Sequence, residues 1–299
     1  MNTKKTILWT TIIIFVIITC CYITTACNKG KGDSTTSKKD AKGSKLDSKP
    51  LNISIFIDLS DRLERDNVTP SQMNRDLAIV ENIVDYFKDR TEKKIKKSKN
   101  KIKVLFYPIP KSTDIATLAS NLSIDMESFN PKDMKRQTTL DNMKKDYKKY
   151  LTKIYQKAIE DGKENKWPGC ELWDFFSSKK VDAHCVRKDY RNILIILTDG
   201  YLYDENGSKD VVGKARAFIT PKVLKEDPNA ELLSKRDGLD DLEVRMMEVN
   251  PYDKPQSYQL KPILENWLKA MGVRQENITV AETDLPSNTQ IIIESFLEE

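Results

Sequence analysis

The chain has 299 residues, of which 39% are hydrophobic and 32% charged, with a formal net charge of +5 and a single histidine. This length suits one large domain, or one domain with an insertion. So small a positive excess argues against nucleic-acid binding, and one histidine excludes a multi-histidine metal centre.

The N-terminal segment combines Lys4 and Lys5, an apolar run over residues 7–18, and Thr24-Thr25-Ala26-Cys27. The apolar run is shorter than the roughly 20 residues that span a bilayer. The segment resembles a bacterial lipoprotein signal, which implies cleavage after residue 26 and diacylation of Cys27. Cleavage would remove Lys4 and Lys5 and lower the net charge to +3. An ordinary cleaved signal and an uncleaved anchor are the alternatives.

Residues 28–50 are mostly Lys, Ser, Gly, Thr and Asp, so we expect a disordered tether behind the lipid. The lipoprotein resemblance places the chain in the bacterial cell envelope, and Asn28 after the cysteine favours the outer membrane. The Lys-rich stretches 93–103 and 132–157 are interpreted as solvated faces and turns. Binding of these stretches to an acidic glycan or lipid surface is the alternative.

From Leu51 onward, patterns typical of strands alternate with patterns typical of helices. Short apolar or alternating runs predict strands, and apolar residues at helical spacing predict helices. Predicted strands cover Leu51–Leu59, Ile102–Tyr107, Leu122–Met126 as a half-exposed edge strand, Asn192–Leu197, Leu242–Val249 and Ile278–Ala281. Predicted helices follow a capping box at Thr69–Gln72 with Pro70 in the first helical position, then cover Leu140–Glu160, Leu260–Met271 and the segment after Ser287.

This alternation predicts an α/β fold, with a mainly parallel central sheet covered by helices on both faces and one antiparallel edge strand. Open sheets of this kind bind ligands at the carboxyl ends of their central strands. Asp58 and Asp199 each follow a strongly apolar strand. We therefore expect the two carboxylates to meet at one edge of the sheet.

Asp58-Leu59-Ser60, Thr138 or Thr139, and Thr198-Asp199-Gly200 stand in an order that resembles the von Willebrand factor A-type domain. The resemblance covers residues 51–299. It implies a metal-ion-dependent adhesion site in which Asp58, Ser60, Thr139 and Asp199 hold Mg²⁺ or Mn²⁺. In that family an acidic group of the partner completes the coordination of the ion.

Arg62 departs from the pattern, because it occupies the position of the motif's second serine. A guanidinium stays charged and only donates hydrogen bonds, so it cannot be a metal ligand. Arg62 can point away and leave a hydrated Mg²⁺ in place, or it can fold inward and neutralise Asp58 or Asp199 in a metal-free site.

After removal of the leader, the body keeps only Cys170 and Cys185. In an oxidising compartment this pair favours a disulfide, which would close an insertion near residues 163–190 and stabilise it by roughly 3 kcal/mol. Two buried free thiols are the alternative. Trp173, Phe175 and Phe176 lie inside that loop and are interpreted either as a partner-binding surface or as a small packing core.

These observations favour a membrane-anchored envelope lipoprotein that binds a protein or glycan partner through a partly degenerate adhesion site. A scaffold with a vestigial site is the alternative. A secreted Mg²⁺-dependent phosphoester hydrolase is a weaker one, because Ser60 stands where an aspartyl phosphatase needs its second Asp. The sequence has no nucleophile elbow, zinc-protease motif or phosphate-binding loop, so we expect no enzyme activity.

Overall fold

A computed structural model describes residues 49–298, with gaps at 66–68, 108–112, 165, 203–218, 229–231 and 233–234. The lipoprotein signal, Cys27 and all but the last two residues of the tether lie outside the described residues, so those expectations remain predictions.

Six strands form one sheet in the order β3-β2-β1-β4-β5-β6. Every neighbouring pair is parallel except β2 and β3, which are antiparallel at the edge. The expected fold class is therefore confirmed. The strands are β1 (Leu51–Ile57), β2 (Lys101–Leu105), β3 (Ser123–Asp125), β4 (Arg191–Leu197), β5 (Leu242–Val249) and β6 (Ile278–Glu282).

Successive side chains of a strand point to opposite faces of the sheet. Both faces here carry apolar side chains, and helices cover both. Ile53 and Ile55 of β1 belong to one apolar core and Phe56 to the other. The helices are α1 (Gln72–Glu92), α2 (Thr113–Ala119), α3 (Lys135–Lys163), α4 (Leu172–Ser177), α5 (Lys180–Cys185), α6 (Pro221–Glu226), α7 (Lys254–Ala270) and α8 (Pro286–Glu298). Of these, α1, α3 and α8 cover the face of Ile53, whereas α4 and α7 cover the face of Phe56.

The start of α1 differs from the sequence prediction. Ser71 is the N-cap, and its side chain accepts a hydrogen bond from the backbone N–H of Asn74 at 3.4 Å. Pro70 therefore precedes the cap and is not the first helical residue. The short helices α2, α4, α5 and α6 were not predicted, because six or seven residues hardly establish a helical period.

The strand order reverses between β1 and β4, since the chain goes from β1 outward to β2 and β3 and then returns to β4 beside β1. Such a switch point leaves a crevice outside the carboxyl ends of the two strands. We call this side the carboxyl edge and the opposite side the amino edge. None of the helices in the described residues is long and apolar enough to cross a membrane.

Candidate functional site

Asp58 lies at the carboxyl edge, directly after β1, and is 1% exposed. Its backbone N–H donates to Leu197 O at 3.0 Å, which continues the pairing of β1 with β4. One carboxylate oxygen accepts from the backbone N–H of Ser60 and the other from the Thr198 hydroxyl, both at 2.8 Å. One oxygen of Asp58 therefore fixes the loop after β1, and the other links the end of β1 to the end of β4.

Asp199 reaches the same edge from β4. Its backbone oxygen accepts from Asn250 and its Oδ1 from the backbone N–H of Tyr201. Gly200 makes the turn with φ of 91°, and a Cβ there would lie 3.0 Å from a methyl of Leu264. Burial and then the charge of Asp58 raise the pKa of Asp199 to about 7. The two aspartates therefore converge, as the sequence predicted.

Arg62 folds inward from a 3-10 turn at Asp61–Glu64 and is 2% exposed. Its Nε donates to the Asp58 backbone oxygen at 2.8 Å and lies 3.8 Å from Asp58 Oδ2. Its Nη2 donates to Asp76 Oδ2 at 2.6 Å. Burial lowers the pKa of Arg62, but the charges of Asp76 and Asp58 outweigh burial and raise it overall. Arg62 is thus a fixed cation between two carboxylates.

Asp76, on α1, is the main partner of Arg62 and was not predicted. It is fully buried and also accepts hydrogen bonds from Tyr155 Oη at 2.6 Å and Gln72 Nε2 at 2.8 Å. A sequence signal existed, because Asp76 stands four positions before Val80, on the apolar face of α1. We call Asp58, Arg62, Arg65, Asp76 and Asp199 the charged cluster.

Arg65 forms the accessible part of the charged cluster. Its Nη2 donates to Asp199 Oδ2 at 2.9 Å and its Nη1 to Asn250 O at 2.7 Å, and 24% of its side chain is exposed. The guanidinium lies 5.1 Å from the ring centre of Tyr252 and 5.9 Å from that of Tyr201. Tyr252 is 68% exposed. Arg65, Tyr201 and Tyr252 form what we call the rim, whose members the sequence reasoning also missed.

Thr139 does not join the site. It lies near the start of α3, whereas Tyr155 on the same helix contacts the charged cluster. Sixteen residues at 1.5 Å each separate the two by about 24 Å along the helix axis. Arg136 confirms the placement, because it donates to Ser98 O at the amino edge. Thr138 is the neighbour of Thr139 and is excluded for the same reason.

The predicted donor set does not fit a divalent ion. Thr139 is distant, and Arg62 places a buried positive charge 3.8 Å from Asp58 Oδ2, where it would repel a cation. Of the two orientations considered for Arg62, the structure has the one in which the side chain folds inward, beside Asp58.

The expected disulfide is absent, since Cys170 and Cys185 are both free thiols. Gly169, next to Cys170, pairs with Leu59 at the carboxyl edge. The backbone oxygen of Cys185 instead accepts from Asn52 at the amino end of β1. Seven strand residues separate these two contacts by on the order of 20 Å, far beyond the Cα separation that a disulfide allows.

The aromatic residues of the same segment do not form a binding surface. Phe175 and Phe176 are almost fully buried, and Trp173 is 8% exposed. The ring of Phe175 lies 5.0 Å from that of Phe56 in β1, and the ring of Phe176 lies 5.1 Å from that of Trp267 in α7. The segment is therefore part of the main core under the sheet, and the partner-binding prediction for these three residues is wrong.

Comparison with known proteins places the chain in no family. No protein-family model and no curated protein matches the sequence. Among solved structures, the pilus adhesin SpaC from Lactobacillus rhamnosus GG is similar with 10% identity over 84% of this chain and a TM-score of 0.42. The proximal thread matrix protein 1 of the mussel byssus is similar with 12% identity over 83% and a TM-score of 0.40. This chain spans 30% and 47% of those two proteins, and at such TM-scores the likeness does not bear on function.

Proposed function

We propose that the protein is a lipid-anchored bacterial envelope protein whose A-type-like domain binds a protein partner at the carboxyl edge without a metal ion. The N-terminal lipoprotein-like signal supports the anchor. The approach of Asp58 to Asp199 at the switch point supports the location of the site. The observation that carries the proposal is the rim, where Asp199 holds a partly exposed Arg65 beside the rings of Tyr201 and Tyr252.

The rim has the composition of an interaction hot spot, in which Tyr and Arg are enriched. Arg65 uses two N–H groups for Asp199 and Asn250, and a guanidinium has five. The remaining donors can bind an acidic group of the partner. Arg65 would thus contribute the positive charge that a metal ion contributes in the resembled family.

Because Asp58 and Asp199 are buried, the proposal assigns recognition of the partner to the rim and not to these two carboxylates. Asp58 is 1% exposed and Asp199 is 7% exposed, so neither carboxylate presents much surface to a partner. Their role in the proposal is to hold Arg62 and Arg65 in place. This burial also supports a second function, a scaffold protein whose adhesion site is vestigial. The hydrolase alternative stays the weaker one, because Ser60 stands where an aspartyl phosphatase needs its second Asp.

Calorimetric titration of the purified protein with Mg²⁺ and Mn²⁺ tests the metal-free part. We expect no saturable heat at millimolar ion, because the guanidinium of Arg62 lies 3.8 Å from Asp58 Oδ2 and repels a cation. A saturable heat that disappears in Asp58→Asn would contradict the proposal.

Site-specific photocrosslinking in the envelope tests the binding part. A photoreactive residue at position 252 should give discrete protein adducts that an Arg65→Ala substitution abolishes. Position 134 is the matched control, since Met134 is 83% exposed and lies at the amino edge, at the start of α3. Adducts that persist in Arg65→Ala, or equal adducts from both positions, would favour the scaffold function.

A further inference from the structure

We propose that a basic turn at the amino edge docks the domain on an anionic lipid surface, so that the rim points away from the membrane. The basic turn comprises Lys93, Lys94, Lys96 and Lys97, which are all exposed. The proposal rests on the lipid anchor of the proposed function and adds the surface through which the anchored domain meets the bilayer.

The tether enters the domain beside the basic turn. Pro50 O accepts from the backbone N–H of Arg191, and the N–H of Leu51 donates to Asn100 Oδ1 at 2.9 Å. Asn100 follows Lys97 by three residues, so the Cα of Lys97, the last lysine of the turn, lies within about 11 Å of the Cα of Asn100. The chain that leads to Cys27 therefore leaves the domain from the same edge that carries the four lysines.

The turn is held rigidly with its charges outward. The N–H groups of Lys97 and Ser98 both donate to Lys94 O at 2.8 Å. The buried Arg136 donates to Ile95 O at 2.9 Å and to Ser98 O at 2.6 Å. The side chain of Ile95 packs against the core between the two lysine pairs. The lysine side chains consequently project from an ordered backbone.

The positive charge of the turn is not cancelled by its acidic neighbours. Within the described part of the chain, no ion pair involves any of the four lysines. Glu92 instead pairs with Lys88, and Glu127 pairs with Lys99 and Lys101. An ammonium group near an anionic leaflet contributes enough to change binding about fivefold.

The tether keeps the turn within reach of the leaflet. The tether predicted from the sequence has 23 residues, and a flexible Gly/Ser-type chain of that length has a root-mean-square span of about 26 Å. Screening limits attraction to roughly 8 Å at physiological salt, so the turn acts only when the amino edge touches the headgroups. Contact there leaves the carboxyl edge on the far side of the sheet.

Amine labelling of the full, lipidated chain on vesicles tests the proposal. On vesicles of phosphatidylcholine with 30% phosphatidylglycerol, labelling of the four lysines should slow by about fivefold or more relative to pure phosphatidylcholine. Lys254, exposed at the carboxyl edge after β5, should label equally on both. High salt should abolish the difference. Equal labelling of the basic turn on both vesicles would overturn the proposal, as would protection by a soluble acidic polysaccharide but not by the anionic vesicles.

Two quadruple variants separate specific docking from loss of net charge. Lys132 is exposed and lies four residues before Arg136, which donates to Ile95 O in the turn. Gln at the four positions of the basic turn should make the labelling of Lys132 insensitive to phosphatidylglycerol. The control variant replaces four exposed lysines distant from the turn and should retain the sensitivity; these are Lys145, Lys153, Lys163 and Lys254. Equal behaviour of the two variants would refute docking through the turn.

The same vesicles test the anchor independently. A lipidated chain should remain on neutral vesicles, and replacement of Cys27 by Ser should release it. Failure to remain there would refute the anchor of the proposed function. The labelling on anionic vesicles would still decide whether the basic turn docks.

Discussion

Replacing Arg62 with Met gives the strongest test of the charged cluster. Met matches the aliphatic stem of Arg but has no guanidinium, so the change removes the cation while keeping the packing of the stem. It leaves Asp76 without its ionic partner at a site that is fully buried. Breaking a buried ion pair from one side costs about 3–5 kcal/mol. Hydrogen bonds from Tyr155 and Gln72 to Asp76 persist, so we expect a loss of about 3 kcal/mol.

Arg65→Met is the matched control, because it also removes an arginine that pairs with an aspartate of the cluster. Arg65 is 24% exposed and its charge is partly solvated. Asp199, with its pKa raised to about 7, can bind a proton when the guanidinium is removed, so this variant should lose roughly a third as much stability as Arg62→Met. The same substitution at two positions thus separates the effect of burial from the loss of a guanidinium.

Urea unfolding followed by tryptophan fluorescence measures both variants, since Trp173 and Trp267 are buried in the core. The double variant Arg62→Met with Asp76→Asn should recover part of the loss, because no uncompensated charge then remains at that position. Equal free energies of unfolding for Arg62→Met and the unchanged protein would refute the buried cluster. So would a double variant less stable than the sum of its single changes.

Three further predictions concern the same residues and the core. Between pH 4 and 7 the free energy of unfolding should fall as pH rises, by up to about 1.4 kcal/mol per pH unit. The pKa of Asp199 is raised to about 7, so the folded state holds a proton that the unfolded state releases near pH 4. Thermal unfolding of Asp199→Asn should lack this dependence on pH. Phe176→Ala should cost about 3–5 kcal/mol in urea unfolding, whereas a binding-surface role would leave stability unchanged. A reductant should leave the unfolding midpoint unchanged. A thiol reagent should modify Cys185 only on unfolding, because Cys185 is buried and burial raises its pKa to about 12, whereas the half-buried Cys170 should react earlier.

The fold was predictable because its strands are short, strongly apolar and separated by helical patterns. The carboxyl ends of β1 and β4 meet in any sheet with this alternation, and the approach of Asp58 to Asp199 followed from that rule alone. The alternating residues of β3 likewise predicted an edge strand. Local patterns and general topology were sufficient for these features.

Features that depend on distant contacts were not predictable. Thr139 was chosen from its place in the family motif, but only the position of α3 along the sheet determines that it lies near the amino edge. Cys170 and Cys185 are near each other in sequence, yet they lie toward opposite edges because α4 and α5 run beneath the sheet between them. The rim depends on Tyr252, which follows β5 and reaches Arg65 only in the folded protein.

The charge balance of the cluster connects the poor fit of the site to a divalent ion with the raised pKa of Asp199. Three carboxylates, of Asp58, Asp76 and Asp199, face the two guanidinium groups of Arg62 and Arg65, so full ionisation would leave one buried negative charge in excess. Burial and the charge of Asp58 raise the pKa of Asp199, and its protonation removes that excess. A divalent ion would supply two positive charges at this position. Arg62 supplies one of them, and a proton on Asp199 can supply the second. When Asp199 ionises, its ion pair with Arg65 should become stronger. Its repulsion of the Asp58 carboxylate should at the same time make the cluster less stable.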